Sequence, residues 1–225
     1  MRVLAFDCAT AACSAAVWED GKVRAHESLD LAQNATQALV PMIARVMAHA
    51  QCGFANIERL GVAVGPGHFT GLRASLAVAR GLQLARGLPV VGVTTLEAVA
   101  AATEKSARAG RRLIVALDSK RSEPYFQIFD ADLTPLDSPV VMSINDFIAP
   151  LGREPLLLGG DAAPALAASL AHCGHVAEIS KSAQRPDAAV IAEIAAIRAL
   201  VAGPVQPLYL HPPAAKPLAG IEPRA

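Results

Sequence analysis

The stretch Leu4-Ala5-Phe6-Asp7-Cys8 decides how this chain is read, because Val115-Ala116-Leu117-Asp118-Ser119 echoes it far downstream. Each copy is a short apolar run closed by a carboxylate, the pattern of a buried strand whose last residue emerges at a sheet end. Each is also followed by a hairpin candidate. Residues 13 to 19 run to the turn Asp20-Gly21 and return over 22 to 29, and Tyr125-Phe126-Gln127-Ile128-Phe129 pairs back on the second copy. An internal repeat of this kind predicts two homologous α/β lobes, with Asp7 and Asp118 at matching strand ends.

The segments around the repeat fit that plan. From 36 to 50, Leu39, Val40, Ile43, Val46, Met47 and Ala50 recur at spacings of three and four, which predicts an amphipathic helix with Pro41 tolerated in its first turns. A short apolar segment at 57 to 64 is broken by Gly65-Pro66-Gly67, and a second helix follows from about 72 to 85. A strand over 88 to 93 leads to Thr95, which caps a helix through Ala102. The polar stretch Thr103 to Arg112, with Lys105, Arg108, Arg111 and Arg112, reads as a solvated linker and the lobe boundary. The expected division is 1–104 for the first lobe, 105–210 for the second and 211–225 for an extended or disordered tail. Within the second lobe the pattern predicts strands at 113–118 and 155–158 and helices near 144–148, 164–171 and 187–201.

Composition narrows the class. With 53% hydrophobic and 18% charged residues the chain has ample material for a core. Twenty Lys and Arg balance twenty Asp and Glu, so no global positive field draws it to nucleic acid or anionic membrane, and any nucleic-acid contact must be local or delegated. Asp7 interrupts the first apolar run before a signal-peptide core builds up, and no later run approaches spanning length; a cytoplasmic address is expected. Cys8, Cys13, Cys52 and Cys173 form neither a CxxC pair nor a dense framework, which predicts reduced, mostly buried thiols. Abundant alanine with only 4% aromatics predicts close helix packing on small side chains.

Gly65-Pro66-Gly67-His68-Phe69-Thr70-Gly71-Leu72-Arg73 lies between a strand and a helix. Its glycines and the new helix N-terminus would allow a phosphate cradle, but the spacing matches neither GxGxxG nor a P-loop, so a structural turn is the favoured reading. This segment closely resembles the GPGSFTGLR signature of the TsaB family, also called YeaZ. Gly92-Val93-Thr94-Thr95-Leu96-Glu97 is similar to the family's GVSSLE, Asp118 to Tyr125 to its DAR-x-x-EVY, and Pro207-Leu208-Tyr209-Leu210-His211 to its PVYLR. The resemblance runs to about residue 216.

What it implies is an actin-like ATPase (ribonuclease-H-like) fold with two duplicated lobes, mixed sheets and flanking helices, no longer itself catalytic. The implied role is a non-catalytic partner for TsaD in forming the threonylcarbamoyl modification on tRNA adenosine next to the anticodon, with no catalytic site of its own. Implied partners are a TsaD homologue in a heterodimer, a TsaE-type ATPase in the wider complex, a second copy when alone, and tRNA only through the complex. The competing readings are an ATP-dependent small-molecule kinase using Asp7, Asp118 and the 65-to-71 turn, and a peptidase-like protein. The paired histidines that bind metal in TsaD have no counterpart in Asn34-Ala35-Thr36-Gln37-Ala38, where Ala35 also replaces the single histidine common in TsaB proteins, so no metal site is expected.

The helix 72–85 is small or apolar around most of its circumference, more than one core-facing stripe requires. With the helix 36–50 it is expected to form the partner interface, carried by Leu39, Ile43, Val46, Met47, Leu72, Leu76, Ala79 and Leu82; the plainer alternative buries both helices in their own lobe. The family turn comprises Gly65, Pro66, Gly67, Phe69, Thr70, Gly71 and Arg73, with Gly67 expected to need unusual dihedrals. Asp7, Thr10, Asp118, Gly159 and Gly160 are candidates for a vestigial nucleotide cleft. Capping loop N–H groups is the equal alternative for the two aspartates, and a strand-to-helix turn the stronger one for the glycines. No cofactor is expected beyond weak ATP or ADP binding there. His68, where the family has serine, reads as a surface turn residue, and Cys8 with His26 as a buried thiol and a strand-surface histidine rather than nucleophile and base.

Overall fold

Period-two alternation in the first strand sorts its side chains onto two different cores. In the computed structural model, which describes residues 1–30, 35–201 and 203–211, β1 (Arg2–Asp7) sends Leu4 and Phe6 to one face and Val3 and Ala5 to the other. β2 (Ala12–Glu19) and β3 (Lys22–Asp30) complete an antiparallel meander on it. β4 (Arg59–Gly65) and β5 (Val90–Thr94) add in parallel, so the sheet order is β3-β2-β1-β4-β5.

The second half repeats this order. β6 (Arg112–Leu117) pairs antiparallel with β7 (Tyr125–Phe129) and parallel with β9 (Leu156–Gly159), and the short β8 (Val140–Val141) and β10 (Ala177–Ile179) form the edges. The second sheet therefore runs β10-β9-β6-β7-β8. Two mixed five-stranded sheets flanked by helices make the actin-like ATPase, ribonuclease-H-like fold. β8 and β10 have no counterpart among the expected strands, because two or three residues are too few to show a period.

The helices are α1 (Ala35–His49), α2 (Phe69–Arg86), α3 (Thr95–Ala101), α4 (Lys105–Arg108), α5 (Ile144–Ile148), α6 (Ala163–His172) and α7 (Ala188–Ile197). α1 and α2 cover one face of the first sheet, burying Leu39, Met42, Ile43, Val46 and Leu76 against Leu4, Phe6, Leu60 and Val62. α5 and α6 do the same for the second sheet through Phe147, Ile148, Leu166 and Leu170.

The remaining helices correct the expected division. α7, inside the expected 105–210 lobe, packs on the other face of the first sheet, with Ala188, Ile191, Ala192 and Ala195 against Val3, Ala5, Ala16 and Ala63. α3, inside the expected 1–104 lobe, lays Leu96, Val99 and Ala100 on Leu113, Val115 and Leu117 of the second sheet. The lobes thus exchange helices, and Arg198 ties the pair together through Glu97 and the Gly92 carbonyl. Small side chains allow the closeness, for a Cβ on Gly61 would stand 3.0 Å from that of Ala195. The stretch read as a solvated linker contains α4, and Arg108 is buried and bonded to the Ala131 carbonyl.

Two further expectations change. Cys8 and Cys13 form a disulfide rather than two thiols, because the antiparallel register of β1 and β2 sets them opposite one another. Cys173 is exposed rather than buried. Of the tail, 212–225 lies outside the described residues, whereas His211 packs edge-on against Tyr125 with ring centroids 5.3 Å apart.

Candidate functional site

The family turn is built by backbone approach. β4 ends at Gly65, whose φ of +102° favours glycine, and a Cβ there would come within 2.8 Å of the Leu208 carbonyl. Gly67, expected to need unusual dihedrals, has no positive φ; its constraint is space, since a Cβ would run into the Ala9 carbonyl. At Gly71 a Cβ would collide with the Cys8 carbonyl. The His68 N–H donates to Ala9 O at 2.7 Å, which ties the turn between β1 and β2 to the start of α2. The segment is a seat for α2.

From this seat the chain's end is drawn in. Leu208 N–H donates to Val64 O at 2.7 Å, and Tyr209 lies 5.6 Å from the Phe69 ring. The Arg73 guanidinium sits 3.8 Å above the same ring. Phe69, Thr70 and Arg73 are exposed, while Gly65, Pro66 and Gly71 are buried.

The vestigial candidates make hydrogen bonds within the chain. Asp7 is fully buried and accepts the Ala9 N–H at 2.7 Å; burial, opposed by that bond and reinforced by nearby Asp187, raises its pKa to about 7. Thr10 accepts from Ala12 N at 3.4 Å. Asp118 gives one oxygen to Lys120 N and the other to Lys120 Nζ, both at 2.7 Å; although partial burial opposes it, this holds the carboxyl below its ordinary value. Asp161 accepts the Asp118 N–H at 2.8 Å, and burial raises its pKa. Gly160, at φ +96°, abuts the Ala116 carbonyl, and a Cβ on Gly159 would stand 3.3 Å from Ala183 O. Gly160 answers to its backbone conformation and to space, Gly159 to space. Asp118 has both oxygens on Lys120, a pair that would have to open before this carboxylate could hold a magnesium ion.

His68 departs from its expected surface position. Half-buried, it lies within electrostatic range of Lys120, Asp161 and Asp118 from the second lobe; burial, then Lys120, lower its pKa against the pull of the two aspartates. Beside this cluster a cavity of about 800 Å³ opens between the lobes, lined among others by Asp30, Asp161, Lys181, Gln184, Arg185 and Asp187. Arg185 pairs with Asp30 and His26 with Asp187 at 2.9 Å, pinning the strand-to-helix connection onto β3. His26 is therefore engaged by Asp187 while Cys8 is bonded to Cys13, and no nucleophile–base pair exists there. Among the described residues no three His, Cys, Asp or Glu side chains converge as metal ligands.

The expected interface residues need the clearest correction. Leu39, Ile43, Val46, Met47, Leu72, Leu76 and Ala79 are all buried in the chain's own cores, with Val46 at 0% and Leu76 at 4% exposure, and Leu82 packs against the same cluster. The strongest apolar stripe of each helix faces its own sheet. What remains outside is a second, weaker stripe: Val40, Ala44 and Ala48 on α1, and Ala77, Gly81, Leu84 and Ala85 on α2. Leu84 is 88% exposed and Val40 58%. No atom outside α2's own backbone and Gly81's immediate neighbours lies within 4 Å of where a Gly81 Cβ would be. No described helix is long and apolar enough to cross a membrane.

Known proteins resemble this arrangement. The protein-family model described as "TsaD: tRNA N6-adenosine threonylcarbamoyltransferase" matches residues 30–206. The Escherichia coli "tRNA threonylcarbamoyladenosine biosynthesis protein TsaB" is 37% identical over 132 residues, 59% of this chain and 56% of that protein. An uncharacterized protein of Mycobacterium tuberculosis is 33% identical over 227 residues, covering 96% of this chain and 95% of that one. A Pseudomonas aeruginosa crystal structure, of an uncharacterized protein with similarity to peptidase YeaZ, superposes with a TM-score of 0.76 at 22% identity, covering 93% of this chain and 99% of that one. The last likeness is one of fold. The chain spans about half the length of the curated relatives that carry the TsaB name.

Proposed function

Because the chain belongs to the TsaB (YeaZ) family, we propose that it is a non-catalytic partner subunit for a TsaD homologue in threonylcarbamoyladenosine formation on tRNA. The observation that carries this reading is the outer face of α1 and α2. A glycine in mid-helix costs about 1 kcal/mol relative to alanine, and Gly81 has no neighbour on its outer side to justify it. A glycine among Ala77, Leu84 and Ala85 suits the close approach of another helix. Docking would use this face rather than the buried Val46 and Leu76. A second copy would occupy the same face when the chain is alone, a TsaE-type ATPase would join the wider complex, and tRNA would be met through the assembly. A cytoplasmic address and the absence of a required nucleotide belong to the same proposal.

The kinase reading has weaker support, since Asp7 and Asp118 are engaged within the chain. The peptidase reading lacks a converging ligand set among the described residues.

The test is Leu84→Glu together with Ala77→Glu, at exposed positions that leave the core intact. The chain should keep its melting temperature within the equivalent of about 0.5 kcal/mol and lose co-elution with a TsaD homologue and support of tRNA modification in a reconstituted assay. Unchanged complex formation by the folded variant would overturn the surface.

A further inference from the structure

The register Phe6 with Ala15 and Asp7 with Ser14 continues by one step to Cys8 opposite Cys13. Directly opposed residues of an antiparallel pair project to the same side, and here their Cα atoms are 4.3 Å apart and the sulfurs are bonded. The bond closes the tight turn at 9–12. That turn is the seat of α2: Ala9 O accepts the His68 N–H at 2.7 Å, Leu72 N–H donates to His68 O at 3.0 Å, and the Cys8 carbonyl packs on Gly71 without room for a Cβ. The other cysteines, Cys52 and Cys173, are free.

We propose that Cys8 and Cys13 are a reversible dithiol–disulfide site whose state sets how firmly the first turn of α2 is held. The oxidant is a low-molecular-weight disulfide such as oxidised glutathione. One cysteine thiolate attacks a glutathione sulfur and releases one glutathione thiolate; the second cysteine thiolate then attacks the mixed disulfide and releases the other. Two thiols and one glutathione disulfide become one protein disulfide and two glutathione thiols, with two electrons passing to glutathione. Excess glutathione reverses the sequence. Both sulfurs are buried, at 1% and 0% exposure, so exchange proceeds through local opening of the turn and is slow. The site does not depend on which partner docks on α2.

The full chain is equilibrated in glutathione buffers from fully reducing to fully oxidising, acid-quenched, alkylated under denaturing conditions without reductant, and digested. Cys8 and Cys13 should lose alkylation together, their shared peptide falling by two hydrogens, and regain it in excess thiol. Cys52 and Cys173 should titrate independently of them. In the oxidised form the amides of His68 and Leu72 should exchange with deuterium about tenfold more slowly than in the reduced form, and Cys13→Ser should match the reduced form. Thiols that persist at every ratio, glutathione still held on Cys8 or Cys13 as the final product in fully oxidising buffer, or a bond that excess thiol leaves intact would overturn the site. Equal protection of those amides in both forms, or oxidised-like protection in Cys13→Ser, would overturn the coupling to α2.

Discussion

At the scale of single residues, the family turn is governed by space. Gly71 faces the Cys8 carbonyl so closely that even a methyl group must displace backbone, whereas the His68 side chain stands half-exposed in the cleft. Gly71→Ala should therefore lower stability by about 2 kcal/mol or more and His68→Ala by less than about 1; equal melting temperatures would contradict this. The buried Asp7 makes a pH prediction. Burial lifts its pKa from an ordinary 3.8 to about 7, so between these values the folded chain binds more protons than the unfolded one. The contribution of Asp7 is then most favourable below about pH 4 and is lost as pH rises through about 7, a change of about 4 kcal/mol in all. Asp7→Asn, which keeps an acceptor for Ala9 N–H, should melt higher than the parent at pH 8, with the advantage gone at pH 4. A constant difference across that range in thermal melts would refute the buried charge. Sequence reasoning placed Asp7 at a strand end and weighed loop capping for it, and the structure gives it that role. That residues 2–7 form a buried strand was legible; that α7 returns from the far end of the chain to cover the same sheet was not.

At the scale of elements, hydrophobic period located α1 and α2 but could not say which of two apolar stripes faces the sheet. The richer stripe, with Leu39, Ile43, Val46 and Leu76, contributes most to burial and so turns inward; the outer stripe is left with alanine, glycine and single larger residues. An excess of small residues over what a core requires is the legible signal, and the structure turns the larger side chains of the expected interface inward. Gly81→Ala separates the two roles within one helix. It adds helix propensity where nothing obstructs the methyl, so the isolated chain should gain about 0.5–1 kcal/mol. The same methyl at a close helix crossing should weaken assembly. A higher melting temperature with unaltered affinity for a TsaD homologue would place the crossing elsewhere.

At the scale of the whole molecule, the internal repeat foretold two sheets, and both appear with the same strand order. Chain order alone could not reveal that α3 and α7 change sides, because periodicity marks a helix face as buried without naming the surface that buries it. The exchange makes the first sheet dependent on residues nearly a hundred positions beyond it. Without α7, Val3, Ala5, Ala63, Val91 and Val93 would lie open to water on one face of the sheet, and α3 would have lost Val115 and Leu117 beneath it. Each buried aliphatic side chain is worth about 1.5–3 kcal/mol, and a small domain is stable by only about 5–15, so losing several together exceeds the margin. Residues 1–104 expressed alone should therefore bind hydrophobic dye, associate on gel filtration and lack a cooperative thermal transition, even though they contain all five strands of the sheet. Adding 105–225 as a separate chain should restore the transition if the α3–α7 exchange holds the lobes together. A fragment that melts cooperatively by itself would show the first lobe to be autonomous and the exchanged helices incidental.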